Sequence, residues 1–157
     1  MKITILFTGK TRFGYTQQGI DDYYNRLKYY IKTEIRIIPD LKNSRKMPRE
    51  EIMKKEGELL IRAIPDNSFI ILLDEKGKDY TSLELAGFFE KRTVEGLDIC
   101  MLIGGAYGFS DQVYNIADQK ISLSRLTFSH QMIRMILLEQ VYRAFTIIKG
   151  EKYHNEG

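Results

Sequence analysis

Residues 97–110 read LDICMLIGGAYGFS, an apolar run from Ile99 to Ile103 that empties into a loop with three glycines in five residues. A short continuous run of that kind is a strand covered on both faces, as in a parallel sheet. The loop at its carboxyl end is where open α/β sheets bind ligands. It could cradle a phosphate, admit another cofactor or simply turn the chain.

The flanking sequence alternates strands with helices. Lys2 to Phe7 and Thr33 to Ile38 are β-rich, while Tyr15 to Ile31 places Ile20, Tyr23, Tyr24, Leu27, Tyr30 and Ile31 at helical spacing. The polar stretch Pro39 to Pro48 lacks apolar periodicity and reads as a mobile loop, with Pro48 suited to the first turn of a helix reaching Ala63. Phe69 to Leu73 is a second buried strand, and Asp74 to Lys78 is expected to turn the chain. Thr81 or Ser82 can cap a helix through Lys91. A short helix from Ser110 to Ala117, a strand at Lys120 to Leu123 and a long helix from Ser129 to Gly150 complete the pattern, with Phe128 and Ile133 placed as a staple. The expected fold is α/β, a largely parallel sheet flanked by helices, in a single domain over residues 1–157.

The last helix is apolar nearly all round, leaving Arg134, Glu139, Gln140 and Arg143 for water. Such a helix is buried on more than one side, by a second subunit or by the centre of its own domain. No apolar run approaches the roughly 20 residues of a membrane span, and no signal peptide opens the chain, so a soluble cytoplasmic protein is expected.

Composition narrows the chemistry. The one cysteine, Cys100, lies within the apolar run and reads as a core residue. The only histidines, His130 and His154, have neither triad nor metal-ligand spacing, and no metal is expected. The net charge of +3 is mild, but Lys42, Arg45, Lys46, Arg49, Lys54 and Lys55 crowd one stretch, and Arg125, Arg134, Arg143, Lys149 and Lys152 recur later. That distribution suits either a solvated face or a polyanion.

Both familiar glycine motifs fail. Gly9-Lys10-Thr11 lacks the earlier glycine of a P-loop, because Thr4 occupies that position. A G-x-G-x-x-G match from Gly104 meets Ala106 and Phe109, and from Gly105 it meets Tyr107 and Ser110. Glycine at 104 and 105 still leaves room where a Cβ would collide with a ligand. Ser122 to Gln131, between the last strand and the last helix, reads equally as a pocket wall or a capped helix start.

Three segments in order, Leu102 to Gly108, Ser122 to Gln131, and Leu138 to Phe145 ending in Gly150-Glu151-Lys152-Tyr153-His154, resemble the ribosomal RNA large-subunit methyltransferase H family. These are small SPOUT-class enzymes that methylate N3 of a pseudouridine in 23S ribosomal RNA. The resemblance runs along essentially the whole chain. It implies a C-terminal deep trefoil knot, a homodimer and an S-adenosylmethionine pocket held by Leu73, Gly104 and the segment Leu123, Ser124, Arg125, Leu126, Thr127 and Phe128. Because N3 carries a proton, a base or an anion-stabilising group is needed. His154 with Tyr153 is expected near the target base, and Arg134, Arg125 or Arg143 near the anion or phosphates. Ser129 stands where the family commonly has proline, and Asn155 and Glu156 where its tails commonly carry a basic residue. A SPOUT enzyme with another RNA target and a non-catalytic ribosome-associated RNA-binding protein are the alternatives.

Overall fold

The first strand already defines a sheet buried on both faces. In β1 (Lys2–Thr8), Ile3, Ile5 and Phe7 enter one core and Leu6 the other. A computed structural model describes residues 1–155; Glu156, noted above in the tail, lies outside them. After β1 come α1 (Gly14–Leu27), β2 (Lys32–Ile38), α2 (Arg49–Ala63), β3 (Phe69–Asp79) and α3 (Ser82–Glu95). They are followed by β4 (Ile99–Ile103), α4 (Asp111–Ile116), β5 (Gln119–Ser122) and α5 (Met132–Ile148).

The strands lie in the order β2-β1-β4-β3-β5, and every neighbouring pair is parallel. Parallel pairing requires crossovers, and the helices that supply them cover both faces. Leu27 of α1, Phe89 of α3 and Leu137, Leu138 and Val141 of α5 pack on one face with Ile3, Ile5 and Met101. Leu60 of α2 and Val113 of α4 pack on the other with Leu6, Leu72 and Leu102. All five residues of β4 are buried, which accounts for its unbroken apolar sequence.

Local chemistry sets the boundaries. Thr81 caps α3 through a reciprocal box, its hydroxyl accepting from the Glu84 amide at 3.2 Å while Glu84 accepts from the Thr81 amide at 2.7 Å. Gly96, at φ +69°, ends that helix. Helix α1 stops four residues before Ile31, because the Tyr29 and Tyr30 amides turn back to Arg26 and Leu27 at 3.2 and 2.9 Å. Between Pro39 and Pro48 lies a 3-10 turn, Ser44–Lys46. Ser129 caps an entry turn, accepting from the Met132 amide at 3.1 Å, so α5 itself begins three residues later than the sequence suggests.

Two further expectations are corrected. Asp74 to Lys78 does not end the strand: β3 arches through it and returns, so that Ile121 of β5 pairs with both Leu73 and Lys78. Gly77 makes this approach feasible, since a Cβ there would lie 2.6 Å from the Ile121 backbone. Arg134 is not left for water. It is 0 % exposed, because the end of β1 and the turn after it offer it the carbonyl oxygens of Thr8 and Gly9. Helix α5 packs against both α1 and α3 within the chain. Among the described residues, no helix is long and apolar enough to cross a membrane.

Candidate cofactor-binding site

Three chain segments meet at the carboxyl end of the sheet. They are the β3 arch at Asp74 to Lys76, the glycine loop after β4, and, Arg125 excepted, residues 122–130 from the end of β5 onward. Together they bound a cavity of about 560 Å³, within the usual size of small-molecule sites.

Each wall is held in shape by its own polar groups. Within the glycine loop the Gly108 amide donates to the Gly105 carbonyl at 3.1 Å, and Gly108 takes φ +80°. In the last segment the Ser122 hydroxyl donates to the Ser124 carbonyl, while the Ser124 hydroxyl accepts from the Leu126 amide, both at 2.9 Å. Asp74 uses both oxygens, accepting from the Lys76 amide at 2.8 Å and the Tyr114 hydroxyl at 2.5 Å. The Thr127 hydroxyl donates to Glu75 at 3.0 Å and so joins the arch to the last segment. Burial, then the bond to Asp74, pushes the Tyr114 phenol up to about 12, so it remains a donor at neutral pH.

The structure brings Leu73, Gly104, Gly105, Leu123, Ser124, Leu126, Thr127 and Phe128 together on the cavity wall, and Arg125 is not among the lining residues. The glycines act differently from the sequence reading. A Cβ at Gly104 would sit 3.3 Å from the Gly108 carbonyl and the Phe109 ring, and one at Gly105 would sit 2.7 Å from a Glu56 carboxylate oxygen. The space a side chain would need is therefore filled by the protein itself. Glu56 packs behind the loop, its carboxyl pushed up by burial and then by Asp40.

Sequence reasoning missed Asp74, Glu75 and Tyr114 as lining residues, whereas Tyr107 and His130 fall within the glycine loop and the Ser122 to Gln131 segment that it offers as walls. For Asp74 the signal was available, since it directly follows the buried run Phe69 to Leu73, where α/β sheets place their ligands. Tyr107 takes the Arg49 guanidinium over its ring at 5.3 Å, and the exposed Lys42, Arg45 and Lys46 precede Arg49 in the chain. Burial, followed by Arg134 and Arg12, lowers the His130 pKa despite an opposing effect of Asp40, so His130 is neutral at pH 7.

The residues expected near the reacting base do not line this cavity within the chain. Arg134 donates to the carbonyls of Thr8 at 2.6 Å, Gly9 at 3.0 Å and His130 at 3.1 Å, and to the Thr11 hydroxyl at 3.0 Å. Burial lowers its pKa to about 10, leaving it protonated at neutral pH. Tyr153 donates to Glu139 at 3.2 Å and lies edge-on to Tyr142 at 4.8 Å. Arg143 pairs with Glu139 at 2.5 Å and approaches His154 Nδ1 at 3.5 Å. Burial, then the Tyr23 hydroxyl, pushes the Tyr153 phenol well up. Glu139 follows the cavity residue Ile133 by six positions, about 9 Å along the helix axis. Neither Tyr153 nor His154 lines the cavity of its own chain. Among the described residues, no group of three His, Cys, Asp or Glu side chains is placed to hold a metal ion.

A family model described as Predicted SPOUT methyltransferase matches residues 1–154. A Parabacteroides distasonis protein named ribosomal RNA large subunit methyltransferase H is 47 % identical over 158 residues, covering 99 % of this chain and 100 % of its own. One of the same name from Christiangramia forsetii is 46 % identical, covering 99 % of each chain. Among solved structures, a probable methylase family protein from Haemophilus influenzae superposes with a TM-score of 0.55 at 11 % identity, over 99 % of this chain and 70 % of that one. A probable methyltransferase from Bordetella pertussis gives 0.55 at 9 % identity, over 91 % and 95 %. Those two likenesses concern the fold. With the family match and the full-length relatives added, the chain belongs to the SPOUT methyltransferases, in the ribosomal RNA large subunit methyltransferase H family.

Proposed function

We propose that this chain transfers the methyl group of S-adenosylmethionine to N3 of a pseudouridine in 23S ribosomal RNA. The observation that carries the reading is the convergence of the β3 arch, the glycine loop and residues 122–130 on one cavity, in a chain whose full-length relatives are named ribosomal RNA large subunit methyltransferase H. The cavity suits the cofactor chemically. Leu73, Leu123, Leu126 and Phe128 offer apolar area to an adenine ring, loop backbone groups can meet its hydrogen-bonding edge, and Asp74 and Glu75 put carboxylates in the wall. A neutral His130 adds no charge against a sulfonium.

The bound cofactor supplies a methyl group already activated on a cationic sulfur. The chain's task is alignment, and the Thr127–Glu75 and Tyr114–Asp74 bonds keep the walls in register before anything binds. Arg134 serves as a positioning residue that fixes the His130 backbone. The proton at N3 must also leave, and Tyr153 and His154 are the groups assigned to the target base. Because neither lines the cavity of its own chain, the reading takes a homodimer in which a second copy delivers its tail. It also takes residues 1–157 as one cytoplasmic SPOUT domain, with the passage of β5 against the β3 arch as part of the trefoil knot. Lys42, Arg45 and Lys46 are assigned to RNA phosphates.

Mass spectrometry of 23S ribosomal RNA from cells lacking this protein tests the assignment, with loss of the N3-methylated pseudouridine expected. If the modification persists and a transfer RNA loses a methyl group instead, the target is different. If calorimetry detects no binding of S-adenosylmethionine, the protein is a non-catalytic RNA binder.

A further inference from the structure

Outside the cavity, the turn that follows β1 and the first residues of α1 carry an unusual surface. Arg12, Phe13, Gly14 and Tyr15 are all exposed, and the two aromatic residues retain 49 % and 62 % of their accessible surface. Their rings stack on each other, with centroids 5.5 Å apart and planes within 15°. Neither ring belongs to the hydrophobic core clusters.

The turn is nonetheless rigidly placed. The Gly9 amide donates to the Ile38 carbonyl at 2.8 Å. Gln131, nearly buried, brackets the segment, accepting from the Arg12 amide at 2.8 Å and donating to the Lys10 carbonyl at 3.1 Å. Arg134 holds Gly9 and Thr11 from below. Gln131 directly follows His130, which lines the cavity, so the aromatic pair is fixed at the site's border.

We propose that Phe13 and Tyr15, flanked by Lys10 and Arg12, form a platform on which a nucleobase of the RNA substrate stacks beside the methyl-donor cavity. The proposal rests on the RNA-methyltransferase reading and deepens it. Exposed aromatic faces bind bases of any sequence, and adjacent cations meet the phosphates between them. Lys10 and Arg12 supply those cations. Among the described residues, Asp40 opposes them, its carboxylate 3.8 Å from the Arg12 guanidinium and 3.4 Å from the Lys10 backbone amide. A cationic turn with a stacked aromatic pair matches an RNA strand in both charge and shape.

The test uses the full chain and purified ribosomes lacking the modification. Ribosome binding, S-adenosylmethionine affinity and oligomeric state are measured for the wild type, a Phe13→Ala/Tyr15→Ala double variant and a ring-preserving Phe13→Tyr/Tyr15→Phe double variant. The alanine variant is expected to bind ribosomes roughly 10- to 100-fold more weakly, with cofactor affinity and oligomeric state unchanged, and the ring-preserving variant to behave as wild type. A Lys10→Gln/Arg12→Gln variant, which leaves both rings in place, is expected to lower the salt dependence of ribosome binding. Unchanged ribosome binding by the alanine variant overturns the proposal. So does a change in its oligomeric state, which assigns the rings to contact with a second copy of the chain. A wild type that binds the cofactor but neither binds nor methylates ribosomes overturns the RNA reading itself, and the platform with it.

Discussion

The Arg134 guanidinium donates to the Thr8 carbonyl at 2.6 Å, which ties the end of the first strand to the last helix. The same side chain meets Gly9, Thr11 and His130, and its cationic plane lies over the Phe7 ring at 4.9 Å. Arg134→Ala strands several buried acceptors at once and is expected to lower stability by about 3 kcal/mol or more. Arg134→Lys recovers only part of this, because an ammonium cannot reproduce the planar fork. Urea unfolding checks the expectation. Abolished turnover at wild-type stability would instead place Arg134 at the reacting atoms.

The glycines of the site rank by what stands opposite them. Gly77→Ala drives a Cβ against the Ile121 backbone at 2.6 Å, where nothing can swing aside. A cost of about 3 kcal/mol and loss of cofactor binding are expected. Gly105→Ala meets the far end of the Glu56 side chain at 2.7 Å, which can move, and is expected to cost about 1 kcal/mol. Thermal melts with and without S-adenosylmethionine read both effects, and an inverted ranking would refute the packing account.

Much of this architecture is legible in the sequence, because burial of strands such as Phe69 to Leu73 and Ile99 to Ile103 needs only local apolar runs. The arch is not. Asp74-Glu75-Lys76-Gly77-Lys78 has the composition of a turn, and only pairing with Ile121, more than forty residues later, makes it continue β3. Arg134 misleads for a related reason, since a cation on an apolar helix reads as the solvent side unless one knows that free carbonyls await it. Family resemblance points to Leu123 to Phe128, and all of these but Arg125 line the cavity, whereas composition alone leaves that segment undecided.

Acidification provides a third test. His130 is neutral at pH 7 because burial, Arg134 and Arg12 lower its pKa below 6.5, against the opposing Asp40. Below that value the unfolded chain binds the proton first, so stability falls as the pH drops from about 7 toward 5. His130→Asn is expected to flatten this part of the profile. Calorimetry over the same range is expected to show weaker S-adenosylmethionine binding in the wild type, as His130 becomes a cation in the wall of a site for a cation. A parallel decline in the variant would remove His130 from the explanation.

Ionic strength reads the basic stretch. Lys42, Arg45 and Lys46 are exposed and lead to Arg49 at Tyr107 on the cavity wall. Replacing all three with glutamine is expected to reduce the slope of log affinity for ribosomes against log salt by about 2, near 0.7 to 0.9 for each phosphate no longer neutralised. An unchanged slope would place these side chains in solvent.

The strand order has one further consequence. A parallel sheet ends in two strands whose outer peptide groups invite pairing with a foreign chain, the first step toward aggregation. Here β5, with four residues, offers a very short template, and β2, at the opposite border, carries Lys32, Glu34 and Arg36 at alternate positions. Brevity on one side and charge on the other blunt both borders, so the sheet resists growing beyond its own five strands.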